Sequence, residues 1–186
     1  ISKTAAQEDF ETSKEQLEVK IYSDSDIASK AVTDHIIEKI NQKNKRGEAF
    51  VLSLATGSTP IKVYRNLIQA YKNGAVSFKN VYTFNLDEYY PMGISSIHSY
   101  VQFMHQNLFD EIDIPKDQVH IPDGTLPLEK IEAYCTEYED KIIELGGIDL
   151  QLLGIGRTGH VGFNEPNASF ESTTRLVWLD PLTRKD

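Results

Sequence analysis

Three short apolar runs, residues 49–54, 81–86 and 148–153, are separated by longer stretches with helical spacing, and this alternation constrains the fold more than any other feature. A short, continuous apolar run is the form of a strand buried on both faces of a parallel sheet. Before the first run, Asp24 or Asp26 can cap a helix carrying Ile27, Ala31, Ile36, Ile37 and Ile40 along one side and ending at Gly47. After it, Thr59 suits an N-cap and Pro60 a first helical residue. Ile61, Tyr64, Leu67, Ile68 and Tyr71 mark that helix's apolar face, and Asn73-Gly74 stops it. Ser99 caps a third helix through Tyr100, Phe103, Met104, Leu108 and Phe109. Ile131, Tyr134, Tyr138 and Ile142 define a fourth, closed by Gly146-Gly147.

Strand, helix, strand, helix, strand in this order predicts an α/β fold: a Rossmann-like, doubly wound, mostly parallel sheet with helices on both faces and right-handed crossovers. Further strands are expected at Leu17, Val19 and Ile21 and over residues 173–179, while residues 115–127 read as a Pro/Gly/Asp-rich connection. Residues 1–16 are polar and read as a flexible arm; residues 17–186 read as one domain. The end at Asp186 has no clear closing element, so a C-terminal portion is expected to be missing, and the absence of an initiator Met is read as a processed or trimmed start.

The 28 acidic and 19 basic residues give a formal charge of −9, which argues against non-specific binding to nucleic acid or to an anionic membrane. No stretch approaches the ~18 consecutive apolar residues of a membrane span, and residues 1–15 lack the apolar core of a signal peptide. The single cysteine, Cys135, cannot form an internal disulfide; it reads as a packed thiol in a reducing, cytoplasmic setting.

The carboxyl ends of parallel strands converge on one edge of the sheet, so three loops should share a crevice. The first, Thr56, Gly57, Ser58 and Thr59, offers small residues and free N–H groups at a helix N-terminus, where a phosphate is favoured. It lacks the Gly-Lys-Ser/Thr ending of a nucleotide P-loop, so a small phosphorylated metabolite fits better. The second ends in Asp87 and Glu88, which face opposite ways in extended chain: one chemical, as a general base, the other a structural partner. The third, residues 154–166, holds His160 between glycines and Glu165 five residues on, a proton-exchanging ring with an acid able to orient it. The remaining histidines, His35, His98, His105 and His120, show no metal-ligand spacing, so no metal is expected.

Together, Leu54-Ala55-Thr56-Gly57-Ser58-Thr59-Pro60, Thr83-Phe84-Asn85-Leu86-Asp87-Glu88-Tyr89 and residues 153–166 resemble the glucosamine-6-phosphate deaminases, as do residues 99–110 and 172–179, so the likeness extends from about Val19 to the end of the chain. The resemblance implies conversion of glucosamine 6-phosphate and water to fructose 6-phosphate and ammonia, without metal or organic cofactor. By similarity, Asp87 moves a proton between C2 and C1 to give an enolamine whose hydrolysis releases ammonia. His160 promotes ring opening, Glu165 holds the imidazole, and Thr56 to Thr59 hold the 6-phosphate. The family pattern continues past Asp186, where basic residues help hold the phosphate, and a homo-oligomer, often a hexamer, is implied.

Two positions depart from the family. Thr158 stands where members often carry an acid or amide, so Glu165 alone is expected to give His160 electrostatic support. Val177 and Trp178 follow Arg175 where activated members use a basic residue, so allosteric activation is expected to be weak or absent. Arg157 is read as a solvated cation. The competing readings are a 6-phosphogluconolactonase-like hydrolase and a non-catalytic sugar-phosphate sensor; Asp87-Glu88-Tyr89 and Phe163-Asn164-Glu165-Pro166 favour the deaminase over the former, and Asp87, His160 and Glu165 together argue against the latter.

Overall fold

The structure is a computed structural model and describes residues 18–156, 158–181 and 183. The arm at residues 1–16, Leu17 and Arg157 therefore lie outside the described residues. Helix α1 (Ser25–Arg46) begins where Asp24 Oδ1 accepts from the N–H groups of Asp26 and Ile27, both at 2.9 Å, and it stops at Gly47. Of its expected apolar side, Ile36 and Ile40 are buried, but Ile27 in the first turn is half exposed.

Strands β1 (Phe50–Leu54), β2 (Val81–Asn85), β3 (Val119–His120) and β4 (Leu150–Gln151) form one parallel sheet in the order β3-β2-β1-β4. Helix α2 (Ile61–Lys72) links β1 to β2, and α3 (Tyr100–Asn107) and α4 (Ile131–Glu144) follow β2 and β3. Phe50, Leu52 and Leu54 point to one face, against Ile36, Ile40, Tyr64 and Leu67 of α1 and α2. Val51 and Phe84 point to the other, against Tyr138 of α4. Strand register puts alternate residues on opposite faces, so the apolar runs serve two cores at once. The doubly wound sheet with helices on both faces is thus the observed architecture, and its order reverses between β1 and β4, the switch point at which such sheets hold ligands.

Four expectations need correction. Residues 18–22 form no strand: Val19 and Ile21 are exposed, and β1 is already paired on both edges. Residues 173–179 join no ladder; the segment docks on α4 instead, where Glu139 Oε1 accepts from the Thr174 N–H and hydroxyl, each at 2.7 Å. The connection at 115–127 contains β3, whose two residues are too few to show a period but pair with Thr83 and Phe84. Finally, Thr59 is not the N-cap of α2: Pro60 already has helical φ and ψ, the helix begins at Ile61, and no side chain caps it.

Candidate active site

The missing cap leaves the first-turn N–H groups of α2 without a side-chain acceptor, which is the condition for anion binding. The loop before it is tied at its base, where the buried Tyr64 hydroxyl donates to the Ala55 carbonyl. Thr56 is half-buried, whereas Gly57, Ser58 and Thr59 are open to solvent.

At the end of β2, Tyr138 of α4 places its hydroxyl 2.9 Å from the Asn85 carbonyl and 3.1 Å from that of His120, pinning the ends of two neighbouring strands. Two residues beyond Asn85, Asp87 is largely withdrawn from water. Burial, with the adjacent Glu88 charge as the smaller cause, pushes its carboxyl up to about 7. Glu88 turns the other way: its Oε2 accepts from the N–H groups of Tyr100 (2.8 Å) and Val101 (3.3 Å), beside the Ser99 Oγ that caps the same helix at Gln102 N, 3.1 Å. One carboxylate is therefore occupied in holding α3, and the other accepts no hydrogen bond among the described residues and is poorly solvated.

Tyr100 joins the first two loops. Burial pushes its phenol well up; the neighbouring Tyr89 hydroxyl adds to this, a hydrogen bond with the Thr56 side chain opposes it, and the Asp87 charge also acts on it. Tyr89, Tyr100 and Phe163 stack as a cluster, with ring centroids 5.0 to 5.9 Å apart. That cluster fastens the third loop to the second. Gly162, at φ 57°, brings its backbone close to Asp87: a methyl group there would sit 3.3 Å from Asp87 Oδ2.

The third loop folds back on itself. Gly156 N–H donates to the His160 carbonyl and Gly159 N–H to the Gly156 carbonyl, both at 2.9 Å. The imidazole then lies flat on Gly156, so close that a Cβ there would fall 2.1 Å from Cε1; only glycine fits. His160 Nδ1 is 2.7 Å from Thr158 Oγ1, which donates to Glu165 Oε2 at 3.1 Å, whereas the direct Nδ1 to Oε2 separation is 3.9 Å. Glu165 Oε1 accepts from the Thr183 hydroxyl at 2.6 Å and the Asp180 N–H at 3.2 Å. The Thr183 bond is the largest cause holding the Glu165 carboxyl below its usual range, opposed by partial burial and assisted by Asp180 N–H, Thr158 and His160.

Asp87, Glu88, Thr56 and the His160–Glu165 loop are thus linked through Tyr100, Phe163 and Gly162, while Gly57, Ser58 and Thr59 stay at the solvent side. Thr183 and Tyr100 carry site contacts that were not legible in the sequence. Thr183 lies 18 residues past Glu165 with no motif around it, and Tyr100 reads as an ordinary helix-face aromatic. A cavity of about 590 Å3 opens beside Asp87, bounded by Tyr134 and Glu139 of α4 and by residues 172–179; it does not reach Thr56 or His160. Among the described residues, no three His, Cys, Asp or Glu side chains gather as a metal site would require.

A parallel sheet with Asp87, His160 and an uncapped helix N-terminus in the loops beyond its strand ends places the chain in the Rossmann-like α/β proteins. The pattern of the glucosamine-6-phosphate isomerases/6-phosphogluconolactonase family matches residues 23–181, and the chain belongs to that family. It is 49% identical to the glucosamine-6-phosphate deaminase of Oceanobacillus iheyensis over 156 residues, 84% of this chain and 60% of that one. It is 51% identical to glucosamine-6-phosphate deaminase 2 of Bacillus subtilis over 133 residues, 72% of this chain and 53% of the relative. The chain therefore spans a little over half the length of these curated relatives. A solved monomeric glucosamine-6-phosphate deaminase of the NagB superfamily superposes with a TM-score of 0.85 at 38% identity, covering 91% of this chain and 68% of that one. The 6-phosphogluconolactonase of Thermotoga maritima superposes with a TM-score of 0.56 at 30% identity, over 71% and 60% of the two chains.

Proposed function

We propose that the protein is a glucosamine-6-phosphate deaminase, converting glucosamine 6-phosphate and water to fructose 6-phosphate and ammonia. The observation that carries the reading is Asp87: a carboxyl at the end of β2 pushed by burial to about 7, lying near the His160 loop at Gly162 and, among the described residues, free of the hydrogen bonds that occupy Glu88. A base is most effective with a pKa near the working pH. The names of the relatives support the same choice.

In this reading the 6-phosphate sits on the α2 N-terminus with Thr56, Gly57, Ser58 and Thr59, which fixes C1 and C2 relative to Asp87. His160 takes the C1 hydroxyl proton as the C1–O5 bond breaks, and the ring oxygen gains a proton, giving the open aldehyde. Asp87 removes the C2 proton as the C1 oxygen takes up a proton, giving the enolamine, and then delivers a proton to C1 as the C2 nitrogen gives one up, leaving an imine at C2 that water hydrolyses to the ketone and ammonia. Glu165, through its hydroxyl partners, holds the imidazole in place.

The test is formation of both products from glucosamine 6-phosphate, with Asp87→Asn as control. Both products, lost in the variant, support the reading; hydrolysis of 6-phosphogluconolactone without ammonia release, or sugar-phosphate binding without turnover, overturns it. A homo-oligomer and a cytoplasmic location go with the reading. Light scattering and fractionation test them, and the superposed relative is itself described as monomeric. Among the described residues no helix is long and apolar enough to cross a membrane.

A further inference from the structure

Thr158 stands between the imidazole and the carboxylate, and its hydroxyl has one proton to give. Glu165, held ionised by Thr183, Asp180 N–H and Thr158, can only accept. Thr158 Oγ1 therefore points its proton at Glu165 Oε2 and turns a lone pair toward His160 Nδ1, 2.7 Å away. Thr183 is committed in the same way: its proton goes to Glu165 Oε1 at 2.6 Å, and its oxygen faces Nδ1 at 3.5 Å. Nδ1 meets two oxygens that have no proton left for it, so Nδ1 must carry the proton itself.

We propose that Thr158 and Thr183 form a hydroxyl relay that fixes His160 in the Nδ1–H tautomer, leaving Nε2 as the proton-accepting atom without a direct ion pair. Thr158 is a positioning residue here, acting through His160, and its role in turnover rests on the deaminase reading above. The relay replaces charge with direction. Glu165 does not touch the ring, its nearest oxygen being 3.9 Å from Nδ1, so its influence reaches the imidazole through the orientation of two O–H bonds. A free histidine side chain prefers the Nε2–H form, which would present a donor where ring opening needs an acceptor. Gly156 supplies the other half of the constraint, because the ring lies flat on it and cannot flip to exchange its nitrogens without lifting off.

The experiment is 15N NMR of the histidine ring nitrogens in the wild-type protein and in Thr158→Val and Thr158→Ser, together with ammonia release by all three. The expected result is an Nδ1–H tautomer for His160 in the wild type and in Thr158→Ser. In Thr158→Val it is a shift toward Nε2–H with kcat lower by roughly tenfold and KM changed less than about twofold. An Nε2–H tautomer in the wild type overturns the relay, as does an unchanged ring in Thr158→Val; the wild-type spectrum decides even if the valine variant fails to fold. A protein with the Nδ1–H tautomer that releases no ammonia keeps the relay and loses the deaminase reading. Turnover with an Nε2–H ring does the reverse.

Discussion

Asp87 and His160 both lie in loops beyond the carboxyl ends of parallel strands, but the molecule holds them by different means. Asp87 follows a strand whose residues are nearly all buried, and its position is set by the sheet, by Tyr138 and by the packing of Tyr89, Tyr100 and Phe163. His160 lies in a loop with no ladder beneath it, held by two backbone turns, by contact with Gly156 and by hydroxyls from residues two before and 23 after it. The contrast extends to the electrostatics. Burial raises the carboxyl of Asp87 toward neutrality, whereas hydrogen bonds keep that of Glu165 ionised. A fold that needs one carboxylate as a base and another as a fixed anion can separate them by putting one behind apolar side chains and the other among hydroxyls.

The largest expected effect breaks the buried side. Asp87→Asn removes the proposed base and should lower kcat for the proposed ammonia release by about 10²- to 10⁴-fold. The same change should stabilise the fold at alkaline pH. A carboxyl raised to about 7 binds its proton more tightly in the native state than in the unfolded one, so wild-type stability falls as pH rises from about 4 to about 7. At pH 8 the asparagine variant should exceed wild type by on the order of 4 kcal/mol, and below pH 4 the two should coincide; urea melts at the two pH values check this. In the wild type, kcat should decline as pH drops below about 7, and a flat profile down to pH 5 counts against Asp87 as the base.

Next in size is the loop side. Gly156→Ala puts a methyl group where the imidazole lies, 2.1 Å from Cε1. Displacing the ring by an ångström should cost about 100-fold in kcat, with a circular dichroism spectrum like that of wild type, because no strand or helix of the sheet depends on that contact. Glu165→Gln keeps the shape but removes the anion that orients both hydroxyls, and should lower kcat by roughly 10- to 100-fold at an unchanged melting temperature; full activity would remove Glu165 from the mechanism. The smallest effect belongs to the scaffold: Ser99→Ala deletes the cap at Gln102 N and should cost about 1 kcal/mol of stability, with kcat within about twofold of wild type.

How much of this was legible in the sequence differs between the same two regions. The continuous apolar runs that became β1 and β2 could be read because burial on both faces leaves a one-dimensional trace, and so could the Ser99 and Asp24 caps, whose bonds span only two or three residues. The strand expected over residues 173–179 failed for the opposite reason. Its apolar run Leu176 to Leu179 looks like a strand, but Glu139 of α4 holds the segment at Thr174 and it pairs with no strand. Thr59 failed as a cap because the turn before α2 already carries Pro60 in helical conformation, a choice made by packing.

The sequence by itself determined the doubly wound class and the three strand ends, since periodicity and glycine placement act locally along the chain. Only the tertiary structure decided which of Asp87 and Glu88 stays free, that Tyr100 ties the Thr56 loop to the Asp87 strand, and that Thr183 reaches back to Glu165. Those outcomes depend on burial and on hydrogen bonds between residues far apart in the chain, and no local pattern records either one.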